Sequence, residues 1–159
     1  IGRPESVPPL VAVFRVKIAG TDFDLARPLA YKWVDPVQGE LYRPFEVRPA
    51  VMANLDEKVL VFSTSDSKPM GVLLKAGAAA VQGNVRLEAP KGWRVSPASL
   101  PFDLAKPEAE QSVVFQVTPP AGASDGTLRA VAETAGGAAF SRGLLTIAYD
   151  HIPRQTLFP

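Results

Sequence analysis

The sequence has no cysteine and only one histidine, His151. Without thiols it forms no disulfide, holds no thiolate-bound metal and offers no cysteine nucleophile. One imidazole cannot supply a multi-histidine metal centre. Charge of one sign is also lacking: 17 Lys and Arg stand against 16 Asp and Glu, for a net charge of +1. No strong field is therefore available to recruit nucleic acid or an anionic membrane, and neither is expected as a partner. No apolar run approaches the ~18 residues of a helical membrane span. No basic-then-apolar leader opens the sequence. It begins with Ile1 rather than methionine, so the expectation is a piece of something longer.

Proline, by contrast, is plentiful. It accounts for 16 of 159 residues, about twice its usual share of about 5%. Together with 47% hydrophobic residues, this composition implies many short elements separated by turns rather than disorder. A chain of this length can bury roughly 70% of its unfolded surface, enough for one real core.

The hydrophobic period is that of strands. Val113, Phe115 and Val117 alternate with Val114, Gln116 and Thr118, and Ala12, Phe14, Val16 and Ile18 alternate with Val13, Arg15 and Lys17. Phe45, Val47 and Val51 alternate with Glu46 and Arg48, and Val85 and Leu87 with Arg86 and Glu88. A further strand is expected within 139–149. Turn chemistry separates these runs: Ala19-Gly20-Thr21-Asp22 reads as a hairpin, and Ala89-Pro90-Lys91-Gly92 as a type I turn. Asp125-Gly126 and Gly136-Gly137 are expected to supply positive φ. The Ala-rich stretch 76–81 is too short to stand as a helix.

These features predict an all-β chain containing an immunoglobulin-like antiparallel sandwich at 49–150, with about seven strands. Trp93, Phe102 and Phe115 are its expected large core residues. Residues 1–48 add a β segment, expected to end an upstream sandwich or to dock as a hairpin layer. Residues 151–159 read as an extended connector.

No catalytic constellation emerges. His151 lacks an oriented partner, because its neighbour Asp150 would point to the opposite side of an extended segment. Asp22 and Asp24 share a strand face, but calcium wants 6–8 oxygens and no loop is that acidic. Ser141 is not in a G-x-S-x-G elbow, and no glycine-rich stretch continues into a phosphate loop. No cofactor or metal is expected. The aromatics leave one question open. Tyr31, Trp33 and Tyr42 are candidates for stacking against sugar rings, with core or inter-domain packing as the alternative.

Two segments carry a resemblance to a known family. Tyr31-Lys-Trp-Val-Asp-Pro-Val-Gln-Gly-Glu-Leu-Tyr-Arg-Pro44 and Leu87-Glu-Ala-Pro-Lys-Gly-Trp-Arg-Val-Ser-Pro97 resemble the C-terminal region of large bacterial PIG-L (LmbE-like) N-acetylglucosamine deacetylase family proteins. The ending Tyr149-Asp-His-Ile-Pro-Arg-Gln-Thr156 fits that region too. Residues 45–149 also look like the sandwich modules associated with bacterial α-galactosidases, through Pro90-Lys91-Gly92-Trp93, Phe102-Asp103-Leu104 and the strand Val113–Val117. The deacetylase resemblance implies a parent with a zinc-dependent Rossmann-like domain and a His-Pro-Asp-Asp type motif, which this sequence lacks. What it implies here is a noncatalytic accessory or scaffold module of an exported bacterial protein, partnered by neighbouring domains. A carbohydrate-binding module is the alternative, and a subunit-interaction module using free sheet edges is the next.

Overall fold

The structure is a computed structural model that describes residues 7–77, 79–149 and 151–159. Every regular element among them is a strand. Contacts divide the chain into two units. The larger comprises Arg48–Leu144 with Phe158–Pro159. The smaller comprises the described residues up to Val47 together with Leu145–Leu157.

The smaller unit opens with β1 (Val11–Ile18), β2 (Thr21–Pro28), β3 (Ala30–Asp35) and β4 (Gly39–Pro44). The larger unit follows with β5 (Val51–Leu55), β6 (Lys68–Ala76), β7 (Val81–Glu88), β8 (Arg94–Ser96), β9 (Leu100–Leu104), β10 (Glu110–Thr118), β11 (Arg129–Thr134) and β12 (Ala139–Phe140). The chain then returns to the smaller unit as β13 (Leu145–Tyr149) and β14 (Ile152–Leu157), an antiparallel pair.

The larger unit is a sandwich of two antiparallel four-stranded sheets, ordered β5-β6-β10-β8 and β12-β11-β7-β9. Three strands of each sheet follow the immunoglobulin arrangement. β5, β6 and β10 take the A-B-E places, while β7, β11 and β12 take C-F-G; β8 and β9 each add one flanking strand. The all-β, immunoglobulin-like expectation is met.

Alternation in the sequence decides which side chains meet between the sheets. Along β6, Met70, Val72, Leu74 and Ala76 are buried, with the intervening residues less so. On its neighbour β10, Phe115 and Val117 are fully buried. Val85 and Leu87 on β7, Phe102 and Leu104 on β9, and Ala130 and Ala132 on β11 complete the cluster. No polar or charged residue is buried among the described residues, so this core rests on apolar packing.

The sandwich edges are guarded. β8 and β12 are short, and Gln111 Oε1 accepts the outward amide of Asp103 on edge strand β9 at 3.0 Å. Along β5, Ala53 N–H bonds the Arg142 carbonyl at 3.1 Å, and the Leu144 N–H donates to Asn54 Oδ1 at 2.8 Å. Edge pairing with another sheet is thereby obstructed on this unit.

Several expectations are corrected. Residues 45–50 form no strand, because Pro44 and Pro49 remove backbone donors from the run; pairing starts at Val51. The 139–149 stretch is two strands belonging to different units, separated at 141–144 where Asn54 takes up the Leu144 amide. The turn after β7 sits one residue later than expected. Trp93 N–H bonds Pro90 O, and Gly92 has φ +89° at the third position, the requirement of a type II turn. Gly126 has no positive φ; its missing side chain makes room for Pro90, which a Cβ would meet at 2.3 Å. The stretch 151–159, read as a connector, includes β14, which pairs with β13.

Candidate functional site

The hairpin β1–β2 forms because eight alternating residues precede Ala19-Gly20, which turn with φ +48° and +85°. Two successive positive φ values give the I′ geometry that suits strand twist. The register sets Asp24 opposite Arg15 and Asp22 opposite Lys17, with ion pairs of 2.9 and 3.9 Å. The two carboxylates do share a face, and each has a cation as its neighbour.

The hairpin β3–β4 carries the aromatic candidates. Its turn is closed by Asp35, whose Oδ1 accepts the N–H groups of Val37 and Gln38, each at 2.8 Å. These bonds, Gln38's first, hold the Asp35 carboxyl below the ordinary carboxylate range. A lowered folded pKa means that the turn's stabilisation is present above about pH 3.9, the unfolded value, and is lost as pH falls through the lower folded value. In an acid titration followed by NMR, the Val37 and Gln38 amide shifts should therefore move together only below that ordinary range. Movement of both amides centred at or above about 3.9 would contradict the carboxylate-bound turn.

Cross-strand pairing divides the three aromatics. Tyr31 lies opposite Arg43 and Trp33 opposite Leu41, which places both rings on one face. Tyr42 pairs with Lys32 and occupies the other face. The structure therefore brings together Tyr31 and Trp33, stacked with ring centroids 5.6 Å apart and planes at 26°. It does not bring Tyr42 to them. The Arg43 guanidinium sits 5.7 Å from the Tyr31 ring centre. On the opposite face, Tyr42 bonds Glu40, which also pairs with Lys32. Sequence period alone placed Tyr31 with Trp33; the position of Tyr42 needed the strand register.

Of the expected core residues, Phe102 and Phe115 are buried. Trp93 is only half-buried, a correction explained by its turn. It directs its indole N–H to Ser124 Oγ at 3.0 Å and packs against Phe62 edge-on, with centroids 5.2 Å apart. Trp93 helps wall a cavity of about 280 Å³, with Leu60, Met70, Pro90 and Leu128. This volume is slightly below the usual range for small-molecule pockets, roughly 300–1,000 Å³. A larger open groove of about 880 Å³ lies over Gln82, Asn84, Asp103, Gln111, Glu133 and Thr134. Its amide and carboxylate lining was not singled out from the sequence, because only the pairing of β7 with β9 and β11 assembles it. No cluster of three or more metal-ligating side chains occurs among the described residues. His151 is exposed and lies 5.9 Å from the Tyr149 ring, centre to centre.

Comparison with known proteins bears on the sandwich. Residues 73–135 match the family model described as NPCBM-associated, NEW3 domain of alpha-galactosidase. The matched span runs from β6 to the end of β11 and includes most of the core. One solved structure, an uncharacterized protein from Nocardia farcinica reported to have an immunoglobulin-like fold, is similar at 14% identity. It covers 68% of this chain and 96% of its own, with a TM-score of 0.27. No curated protein matches the sequence.

Proposed function

We propose that this chain is a noncatalytic accessory β-module of a larger carbohydrate-active protein, where it spaces or orients neighbouring domains. The observation that carries this reading is the match of 73–135, the centre of the sandwich, to a domain associated with α-galactosidase. The residue inventory agrees, since one histidine and no cysteine leave few means of building a nucleophile–base pair. The finer reading places the module in a PIG-L-type N-acetyl sugar deacetylase. It rests on the segments 31–44, 87–97 and 149–156, and an extracytoplasmic location goes with it. The chain itself, incubated with nitrophenyl α-galactosides and with N-acetylglucosamine conjugates, should release neither galactose nor acetate above the uncatalysed background. Saturable turnover of either substrate would refute the noncatalytic reading.

The Tyr31–Trp33 pair favours a second reading, a carbohydrate-binding module. Exposed aromatic faces stack on the apolar faces of sugars, and two adjacent rings offer contact to successive residues of a glycan. Tryptophan fluorescence titrated with chitin-type and plant-type oligosaccharides tests it. The second reading requires a saturable change that Trp33→Ala abolishes with the fold intact. A flat titration of folded protein leaves the structural role alone.

A further inference from the structure

The four N-terminal strands form one long ribbon rather than two separate hairpins. Leu29, between β2 and β3, donates its N–H to Leu10 O at 3.0 Å, and its carbonyl accepts the Phe45 N–H at 3.2 Å. Both groups of Leu29 thus bond on the side already occupied by β1 and β4, and alternation continues through it. Residues 21–35 act as a single strand, about 50 Å long at ~3.4 Å per residue.

This continuity puts Phe23, Leu25, Leu29, Tyr31 and Trp33 on one face, with Arg27 between Leu25 and Leu29. The register adds Phe14, opposite Leu25, and Ile18, opposite Thr21. The reverse face carries the ion pairs Arg15–Asp24, Lys17–Asp22 and Lys32–Glu40. All seven large apolar residues are exposed, from 37% at Trp33 to 62% at Ile18. No residue of β1–β4 is buried. The ribbon therefore has one face with the ion pairs and a second that is predominantly apolar, crossed by Arg27 and Arg43, with no buried residue on either. Isolated two-stranded ribbons are marginal in water, and extended apolar patches on protein surfaces mark interaction sites.

We infer that the apolar face of this ribbon is a self-association surface, covered by the same face of a second copy. Area favours this occupant. Aromatic side chains bury on the order of 150–250 Å² each, the aliphatic ones toward or below the lower end of that range, and about half of that remains exposed here. Seven such residues amount to roughly 700 Å² per copy, close to the ~800 Å² per partner of a standard stable interface. Face-to-face packing of two such sheets also places their apolar side chains in one layer about 10 Å thick. Pairing along the free edge of residues 21–35 is less favourable, because Pro28 interrupts it with a missing donor. The ion pairs remain outside in this arrangement. The inference is independent of the parent protein; because it covers Tyr31 and Trp33, self-association would compete with glycan stacking on that pair.

Sedimentation equilibrium across a micromolar concentration series tests it on the whole chain. The expected mass rises from 17.0 kDa toward twice that value. Leu25→Glu and, as an independent second variant, Phe14→Glu should each raise the dimer dissociation constant at least about tenfold. Val13→Glu, on the reverse face, should leave it unchanged within about twofold. An unchanged sandwich melting transition, together with retained cross-strand nuclear Overhauser contacts within β1–β2 and β3–β4, shows that each variant is folded in both units. A monomer at every concentration would overturn the inference, whatever else then covers the face. So would a dimer that persists in both folded apolar-face variants, or one lost equally in Val13→Glu.

Discussion

Phe115→Ala is expected to lower the stability of the sandwich by about 3–5 kcal/mol. Phe115 is fully buried on β10, a strand flanked by β6 and β8, and belongs to the cluster that joins both sheets. Truncation removes the transfer free energy of a ring and leaves a cavity whose walls belong to paired strands. Those strands cannot close the gap without breaking their ladders, so the cost lies well above that of a surface change. Urea denaturation followed by circular dichroism measures it. A loss below about 1 kcal/mol would mean that Phe115 is not part of the close-packed interior.

Gly83→Ala should also be severe, although it adds a single methyl group. Gly83 lies on β7 between Phe102 of β9 and Thr134 of β11. A Cβ there would come 2.0 Å from the Glu133 carbonyl oxygen. The obstacle is backbone and cannot rotate away, so β11 must move or its pairing with β7 must break. The expected loss is about 3 kcal/mol, at the upper end of overpacking costs. Gln82→Ala, next to it on β7, serves as the comparison and should cost less than about 1 kcal/mol. Equal effects of the two substitutions in thermal melts would show that β7 and β11 do not approach as described.

The sandwich was legible in the sequence because its strands obey a period of two and its core is purely apolar. Val113, Phe115 and Val117, with Val85 and Leu87, declared their faces before any pairing was known, and the structure keeps those faces. Segment boundaries were less legible. The alternating Phe45, Val47 and Val51 gave a strand signal that two prolines override. The 139–149 run hid a change of unit, set by a long-range bond from Asn54 to Leu144. Trp93 was read as central on size alone. Its position beside a type II turn leaves one side against Phe62 and the core, and the other toward a cavity.

The aromatic face was half legible for a related reason. A period of two relates Tyr31 to Trp33 along one strand, but relating either to Tyr42 requires the cross-strand register, which separates them. The continuity of the two hairpins had no local signature. Pro28 and Pro44 both suggest interruption, yet Leu29 bonds to Leu10 and Phe45 and carries the alternation through. Only the hydrogen-bond partners of a single residue reveal that two hairpins share one face.

The role of the module is tested most directly in the proposed parent, by comparing the full-length enzyme with a version lacking residues 1–159. The measurement is kcat on a small soluble substrate, made with the catalytic domain shown to be folded. For a noncatalytic accessory module kcat should stay within about twofold, since no group of this chain would touch the reacting atoms. A fall of about a hundredfold or more, with folding intact, would place residues of this chain in the catalytic site and contradict the accessory role.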